Sequence, residues 1–225
     1  MGVDFSVVDN VTFIASYLEI FRENVYSFET KTIKPVMIDC GANIGLATIY
    51  LKQNHPDASI VAFEPDPKIF DALQNNIKAF GFKDITCLNK AVSSEKGILN
   101  FSSEGGHAGK LSFNNNVETI KVEAIRLKEF LQQYETISFL KIDIEGHEKD
   151  LIPDIAEELL KVEFLFLEYH SFIDEPQCLE EMLTHLKNAG FRYYLKEGYP
   201  KMNPFSGEEI FGRMDFMVNI YCFRK

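Results

Sequence analysis

Val36-Met37-Ile38-Asp39-Cys40-Gly41-Ala42-Asn43-Ile44-Gly45 decides the fold. It begins apolar, as a buried strand does. It breaks at glycine, then runs into Leu46-Ala47-Thr48-Ile49-Tyr50-Leu51, a good helix opening. A strand, a tight glycine turn and a helix in that order make a ligand site. Glycine lets the backbone approach a bound group, and the start of a helix offers unpaired N–H groups. The next apolar run, Ser59-Ile60-Val61-Ala62-Phe63, ends at Glu64, 23 residues beyond Gly41. Nucleotide-binding folds place a carboxylate for ribose hydroxyls near that distance. Glu64 has a second role open to it, as the N-cap of a helix after Pro65.

Outward from this core, strands and helices alternate. Pro65 and Pro67 open a helix with Ile69, Phe70, Leu73, Ile77 and Phe80 on one face, stopped by Gly81, and residues 85–89 read as a third strand. Such spacing implies right-handed βαβ units and a parallel sheet. Two short extra strands are expected at 97–101 and 120–124. The polar segment 102–119 between them reads as a lid or acceptor loop, or as surface irregularity. A short helix carries Leu127, Phe130, Leu131 and Tyr134. Then come a strand at 138–143, a helix over 148–160, a strand at 162–168, a helix through Leu179, Met182, Leu183 and Leu186, and a strand at 191–195. A second polar loop spans 196–213, and a last strand spans 215–223. Before the first strand, Asp9 or Asn10 caps a helix with Val11, Ile14, Ala15, Leu18, Phe21 and Val25 on its packing face, covering the sheet or the pocket. The expected division is a helical extension over 1–34 and an α/β domain over 35–225.

Composition bounds the function. The 225 residues suit one domain with a modest extension, and 46% hydrophobic content suffices for a sizeable core. A net charge of −11 argues against nucleic-acid partners, which need Lys and Arg to neutralise phosphates. Cys40, Cys87, Cys178 and Cys222 have no metal-ligand spacing and read as structural thiols in a reducing compartment. No signal peptide or bilayer-length apolar run is evident, so a soluble cytoplasmic protein is expected. Oligomeric state is open.

In an open parallel sheet, ligands sit beyond the carboxyl ends of the strands. Those ends supply Asp39, Glu64, Asn89, Asp143 and Glu168. Asp39 can hold an ammonium group, orient the glycine turn, or satisfy its N–H groups. The run Lys141-Ile142-Asp143-Ile144-Glu145-Gly146-His147-Glu148 is the second concentration. Asp143 and Glu145 face one way in extended chain, which suits a general base, a metal site or a clamp on a cation. Glu145 or His147 has a second reading as no more than a helix cap, and Glu148 reads as a solvated first-turn acid. Glu168-Tyr169-His170 adds another acid and imidazole, while His55 and His185 read as surface residues.

Asp39-Cys40-Gly41-Ala42-Asn43-Ile44-Gly45, Phe63-Glu64-Pro65, Asn89-Lys90-Ala91-Val92 and Leu140 through Glu148 together resemble the FkbM-type S-adenosylmethionine-dependent methyltransferases. The likeness runs from about Val36 to Glu168. It implies an α/β, doubly wound, mostly parallel seven-stranded sheet with an antiparallel last strand. It also implies S-adenosylmethionine as cofactor and methyl transfer to a hydroxyl of a small molecule, sugar or natural product. By position, Asp39, Gly41, Asn43 and Gly45 would hold the methionine half, Glu64 the ribose, and Asn89 and Ala91 would lie near the adenine. The acid many methyltransferases place at the adenine amine is missing from Lys90-Ala91-Val92-Ser93. Asp143 and Glu145 would face the transferring methyl, with His170 or His147 taking the hydroxyl proton. Any divalent metal would fall to Asp143, Glu145 and Glu168. The alternatives are a nicotinamide-dependent oxidoreductase, whose Gly-x-Gly-x-x-Gly is interrupted here by Ala42-Asn43, and a non-catalytic cofactor-binding protein.

Overall fold

The structure is a computed structural model describing residues 3–102, 119–200, 203–206 and 213–224. Residues 103–118 of the loop expected over 102–119, and 201–202 and 207–212 of that expected over 196–213, therefore lie outside the described residues. In chain order the elements are α1 (Asn10–Tyr17), β1 (Val36–Cys40), α2 (Leu46–Asn54), β2 (Ser59–Phe63), α3 (Pro67–Ala79), β3 (Ile85–Leu88), β4 (Ala91–Ser93) and β5 (Gly97–Ser102). There follow β6 (Thr119–Arg126), α4 (Leu127–Leu131), β7 (Ile137–Ile142), α5 (Glu148–Asp154), β8 (Val162–Phe172), α6 (Leu179–Asn188), β9 (Arg192–Glu197) and β10 (Met214–Phe223).

The main sheet has seven strands in the order β3-β2-β1-β7-β8-β10-β9. β3, β2, β1, β7 and β8 pair in parallel, and β10 runs antiparallel to both of its neighbours. The parallel strands are those that the alternating pattern predicts, and the doubly wound, seven-stranded arrangement with an antiparallel last strand is the one that the resemblance implies. The two short strands expected after β3 form a separate three-stranded sheet with β4, in the order β4-β6-β5.

Strand residues alternate between the two faces of the main sheet. Met37, Phe139 and Phe166 pack with Ile44, Tyr50, Ile20 and Tyr26, that is, with α2 and the N-terminal segment. Ile38, Leu140, Leu165 and Leu167 pack on the opposite face with Leu127, Leu131, Leu151, Met182 and Leu186 of α4, α5 and α6. Both faces are covered, so the central strands are almost continuously apolar, as parallel sheets require.

Three expectations are corrected. Asp9 does cap α1, accepting from the amides of Val11 and Thr12, but of the predicted packing face Val11, Ile14 and Leu18 turn outward, 79%, 57% and 41% exposed, while Phe21 and Val25 pack inward. The face that docks carries Phe13, Tyr17 and Phe21, whose rings stack in succession and meet Tyr50 edge-on. Aromatics four residues apart bury more surface than the aliphatic stripe beside them, and they decide the rotation. A π-helical turn, Leu18–Arg22, then buries Ile20. Second, the helix expected over 148–160 stops at Asp154, one residue after Pro153, and a separate 3₁₀ turn spans Glu158–Lys161. Proline beyond the first turn removes an N–H and crowds the carbonyl four residues back. Third, β8 continues past Glu168 to Phe172, because β10 supplies an antiparallel partner for its far half.

Candidate active site

The turn after β1 is built so that only glycine fits at its closest point. Gly41 has φ +83°, and a Cβ there would stand 1.9 Å from the carbonyl oxygen of Asp143. Gly45 has φ +93° and opens α2 with no side-chain cap. The amides of Gly41 and Ala42 donate to the carbonyl of Phe63, at 3.1 and 2.8 Å.

Glu64 braces this turn. One carboxylate oxygen accepts from the amide of Asn43 at 2.9 Å, the other from the amide of Asp66 at 2.9 Å. Asp66 caps α3, accepting from Lys68 and Ile69, so capping is not the work of Glu64. Burial pushes the Glu64 carboxyl up to about 7. Asn89 donates to the carbonyls of Glu64 and Pro65, both at 2.9 Å, fastening the end of β3 to that of β2. Ala91 is buried in β4.

Beneath the turn lies Lys141, which the sequence reading left unassigned. Its Nζ donates to the carbonyl of Gly41 at 2.9 Å and to Asp143 Oδ2 at 3.1 Å, and lies 3.5 Å from Asp39 Oδ1. Asp39 is fully buried and also accepts from Thr48 Oγ1 at 2.7 Å. The ammonium that Asp39 holds is therefore the protein's own. Burial works against the charge on Lys141, but Asp143 and Asp39 outweigh it and hold the amine well above its ordinary value.

A second cluster surrounds His170, which is buried on β8. Its Nδ1 lies 3.2 Å from Glu148 Oε1, and its Nε2 lies 3.5 Å from Glu168 and 3.6 Å from Glu145. Burial opposes the imidazolium, but Glu145 and then Glu148 prevail and hold the ring well above its usual value. Glu145, in left-handed backbone at φ +58°, has its carboxyl raised to about 8, chiefly by burial. Glu148 is not the solvated acid expected. It is 1% exposed and accepts from the amides of Ile144 and Gly146 as well as facing His170. The local signal for it was Gly146: a bend there turns the start of α5 back over the strand end. Behind Glu148 a cavity of about 10 Å³, lined also by Ser171 and Cys178, has room for one water. Among the described residues, Glu148 Oε2 has no hydrogen-bond partner there.

The structure thus brings Asp143, Glu145, Glu168 and His170 together and leaves His147 exposed at the start of α5. Asp143, Glu168 and His170 each offer one ligand atom within 4.8 Å of the others, so among the described residues His170 takes the place expected of Glu145 in a metal-binding set. The N-terminal segment also reaches this crevice. Asn219, opposite Glu168 across β10 and β8, donates to Glu19 at 3.3 Å. Burial first, and the charge of Glu168 second, raise the Glu19 carboxyl.

This sheet order, with a glycine turn after β1 and a carboxylate after β2, is a Rossmann-like α/β fold. The chain belongs to the family of the methyltransferase FkbM domain, whose pattern matches residues 39–193. It is similar to the methyltransferase sdnD of Sordaria araneosa, 29% identical over 181 residues covering 63% of this chain and 68% of that protein. It is also similar to the 2-O-methyltransferase NoeI of Sinorhizobium fredii, 26% identical over 174 residues covering 68% of this chain and 70% of that one. A crystal structure of methyltransferase FkbM from Methylobacillus flagellatus KT superposes with TM-score 0.56 at 16% identity, over 90% of this chain. The chain spans 46%, under half, of that larger protein. No helix among the described residues is long and apolar enough to cross a membrane.

Proposed function

We propose that the protein transfers a methyl group from S-adenosylmethionine to a hydroxyl of a small molecule, sugar or natural product. The observation that carries this reading is the clamp of Glu64 on the Asn43 amide, with the glycine turn standing between Glu64 and the buried acid–histidine cluster in the order of the sheet.

The residues present fit the cofactor. The turn leaves no space for a side chain at Gly41, and the first turn of α2 has no side-chain cap. Each oxygen of Glu64 accepts one backbone N–H and retains a lone pair for a ribose hydroxyl. Gly41, Asn43 and Gly45 would line the methionine half, with Asp39 supporting them from below through Thr48 and Lys141. Asn89 and Ala91 would border the adenine. When bound, S-adenosylmethionine supplies a methyl carbon made electrophilic by a sulfonium.

The remaining work falls to the cluster. Asp143 and Glu145 orient the acceptor hydroxyl. Glu145, raised to about 8, is in its ionised form a base strong enough to take the hydroxyl proton. His170, held as a cation between Glu145, Glu148 and Glu168, fixes the positions of these acids. His147 has no part in this arrangement. Acceptor oxygen is favoured over other nucleophiles because a proton-accepting carboxylate stands at the site, and because a similar protein, NoeI, carries a 2-O-methyltransferase name.

Calorimetry with S-adenosylhomocysteine and with NAD tests the cofactor, and mass spectrometry of hydroxylated acceptors tests the reaction. Binding of the former alone, with acceptors gaining one methyl, is the expected outcome. Binding of NAD, or cofactor binding with no transfer across sugars and natural-product alcohols, would overturn it.

A further inference from the structure

We propose that Tyr26, just after the N-terminal π-helical turn, reads the acceptor: its hydroxyl hydrogen-bonds a second hydroxyl beside the one that is methylated, so the acceptors of this chain are vicinal diols such as sugar rings. This deepens the methyl-transfer reading and rests on it for the reaction.

The ring fixes where the hydroxyl goes. Tyr26 meets Phe166 and Phe139 edge-on, with centroids 4.9 and 6.1 Å apart. Two residues further along the same strands, on the same face, stand Glu168 of β8 and Lys141 of β7. The charges of Lys141, Asp143, Glu168 and Glu19 all bear on the Tyr26 hydroxyl, which sets it at the carboxyl ends of β7 and β8, beside the acids of the crevice. The residue is 7% exposed. Among the described residues its hydroxyl has no hydrogen-bond partner. A buried phenol ordinarily finds one, because an unmade bond costs the full desolvation of the group. Its neighbours are engaged elsewhere: Lys141 donates to Gly41 and Asp143, and Glu19 accepts from Asn219. The backbone that carries Tyr26 is held in place. The Ser27 amide donates to the Asn24 carbonyl at 3.0 Å, and Asn24, in left-handed backbone at φ +54°, accepts from the Tyr50 hydroxyl at 3.2 Å. The phenol is thus positioned in advance of any ligand, and little ordering is lost when one binds.

The chemistry of the unmet group names its ligand. Burial, partly offset by Lys141, holds the phenol protonated, well above its ordinary pKa, so it donates as well as accepts. The ionised acids beside it only accept. A carbonyl or ether cannot donate to those acids, and an ammonium leaves the phenolic O–H unmet. A hydroxyl satisfies both. The reacting oxygen directs a lone pair at the methyl carbon and its proton at Glu145, and Glu145 is not among the charges that bear most on Tyr26. Tyr26 therefore meets a neighbouring hydroxyl. An acceptor without that hydroxyl leaves the phenol buried and unpaired, which a site built around a hydrogen bond rejects strongly. Tyr26 also precedes the family pattern, which matches residues 39–193, so this contact belongs to the chain's own N-terminal segment.

Two measurements on the full chain test this. Tyr26→Phe keeps the ring on Phe139 and Phe166 and removes only the oxygen. In thermal melts without ligand the variant should be no less stable than wild type, since no internal bond is lost. A lower melting temperature would show the hydroxyl engaged within the fold and would overturn the proposal. Transfer from S-adenosylmethionine is then measured to vicinal cyclohexanediol and methyl glucoside, with cyclohexanol as the monohydric partner. Wild type should favour the diols in kcat/KM by about 10²-fold or more. Tyr26→Phe should lose about tenfold on the diols and nothing on cyclohexanol, while Tyr194→Phe, exposed on β9, keeps the wild-type preference. Equal rates on diol and cyclohexanol, or an equal loss on both in Tyr26→Phe, overturn this proposal alone. Failure of S-adenosylhomocysteine to bind wild type, or its binding with no transfer to any of these alcohols, removes the methyl-transfer reading and this proposal with it.

Discussion

Lys141→Met removes the ammonium beneath the glycine turn while keeping an unbranched side chain of similar length. The lysine side chain is 5% exposed and Asp39 0% exposed, so solvent cannot replace the lost charge at Asp39. Removing one partner of a buried ion pair costs about 3–5 kcal/mol, because the other charge stays behind uncompensated. Asp39 would keep only Thr48, and the Gly41 carbonyl would lose its 2.9 Å donor. For a chain of this length each kcal/mol shifts the melting temperature by roughly 2–4 °C, so the variant should melt about 6–20 °C lower. Urea denaturation of wild type, Lys141→Met, Asp39→Asn and the double variant forms a cycle. The double variant should be more stable than the sum of the single losses, by on the order of 1–3 kcal/mol. A loss below about 1 kcal/mol for Lys141→Met, or strict additivity in the cycle, would refute the claim that this buried lysine supports the turn.

Gly41→Ala should unfold the turn and abolish S-adenosylhomocysteine binding, since its Cβ would meet the Asp143 carbonyl at 1.9 Å. Gly81→Ala, also at positive φ but with nothing within 4 Å, should cost only about 1–2 kcal/mol; equal losses in urea would contradict this. Glu64 has a folded pKa of about 7 against 4.5 ordinarily, so the native state binds the extra proton between those values. Its stability contribution is full below about 4.5 and is lost as pH rises through about 7, a swing of roughly 3 kcal/mol. Urea midpoints of Glu64→Gln should show that swing missing between pH 4.5 and 8, and parallel curves for the two proteins would count against it. His147→Ala should leave methyl transfer near the wild-type rate, while Glu145→Gln should lower it by about 10²–10⁴-fold; rates that fall together for the two variants would undo the assignment.

The alternation of strands and helices, the parallel sheet and the two strand-end concentrations were legible because each rests on local pattern: apolar period, proline, glycine and acid at fixed offsets, whereas the antiparallel last strand came only with the family resemblance. What was not legible depends on distance in sequence. Lys141 lies one hundred residues from Gly41, and nothing near it signals that its amine meets the carbonyl of that turn. Glu148 reads as an exposed helix-start acid until β8 brings His170 against it. The rotation of α1 went the other way because both an aliphatic and an aromatic stripe run along it, and the choice lies with Tyr50 of α2. Pro153 carried a breaker signal for the helix over 148–160, but the apolar run beyond it masked the break.

Asn76 of α3 has a consequence for how the two ends of the site communicate. Fully buried, it donates to the carbonyls of Ser6 and Ile44 and accepts from the Ser6 amide at 2.6 Å. One side chain thus holds the N-terminal segment and the glycine turn in the same hand. A ligand that stills the turn must also slow the release of the segment, and by reciprocity a chain whose segment is released must bind that ligand less tightly. The N-terminal segment is then an indicator of what the pocket holds: its amide exchange and its susceptibility to proteases should fall as occupancy rises.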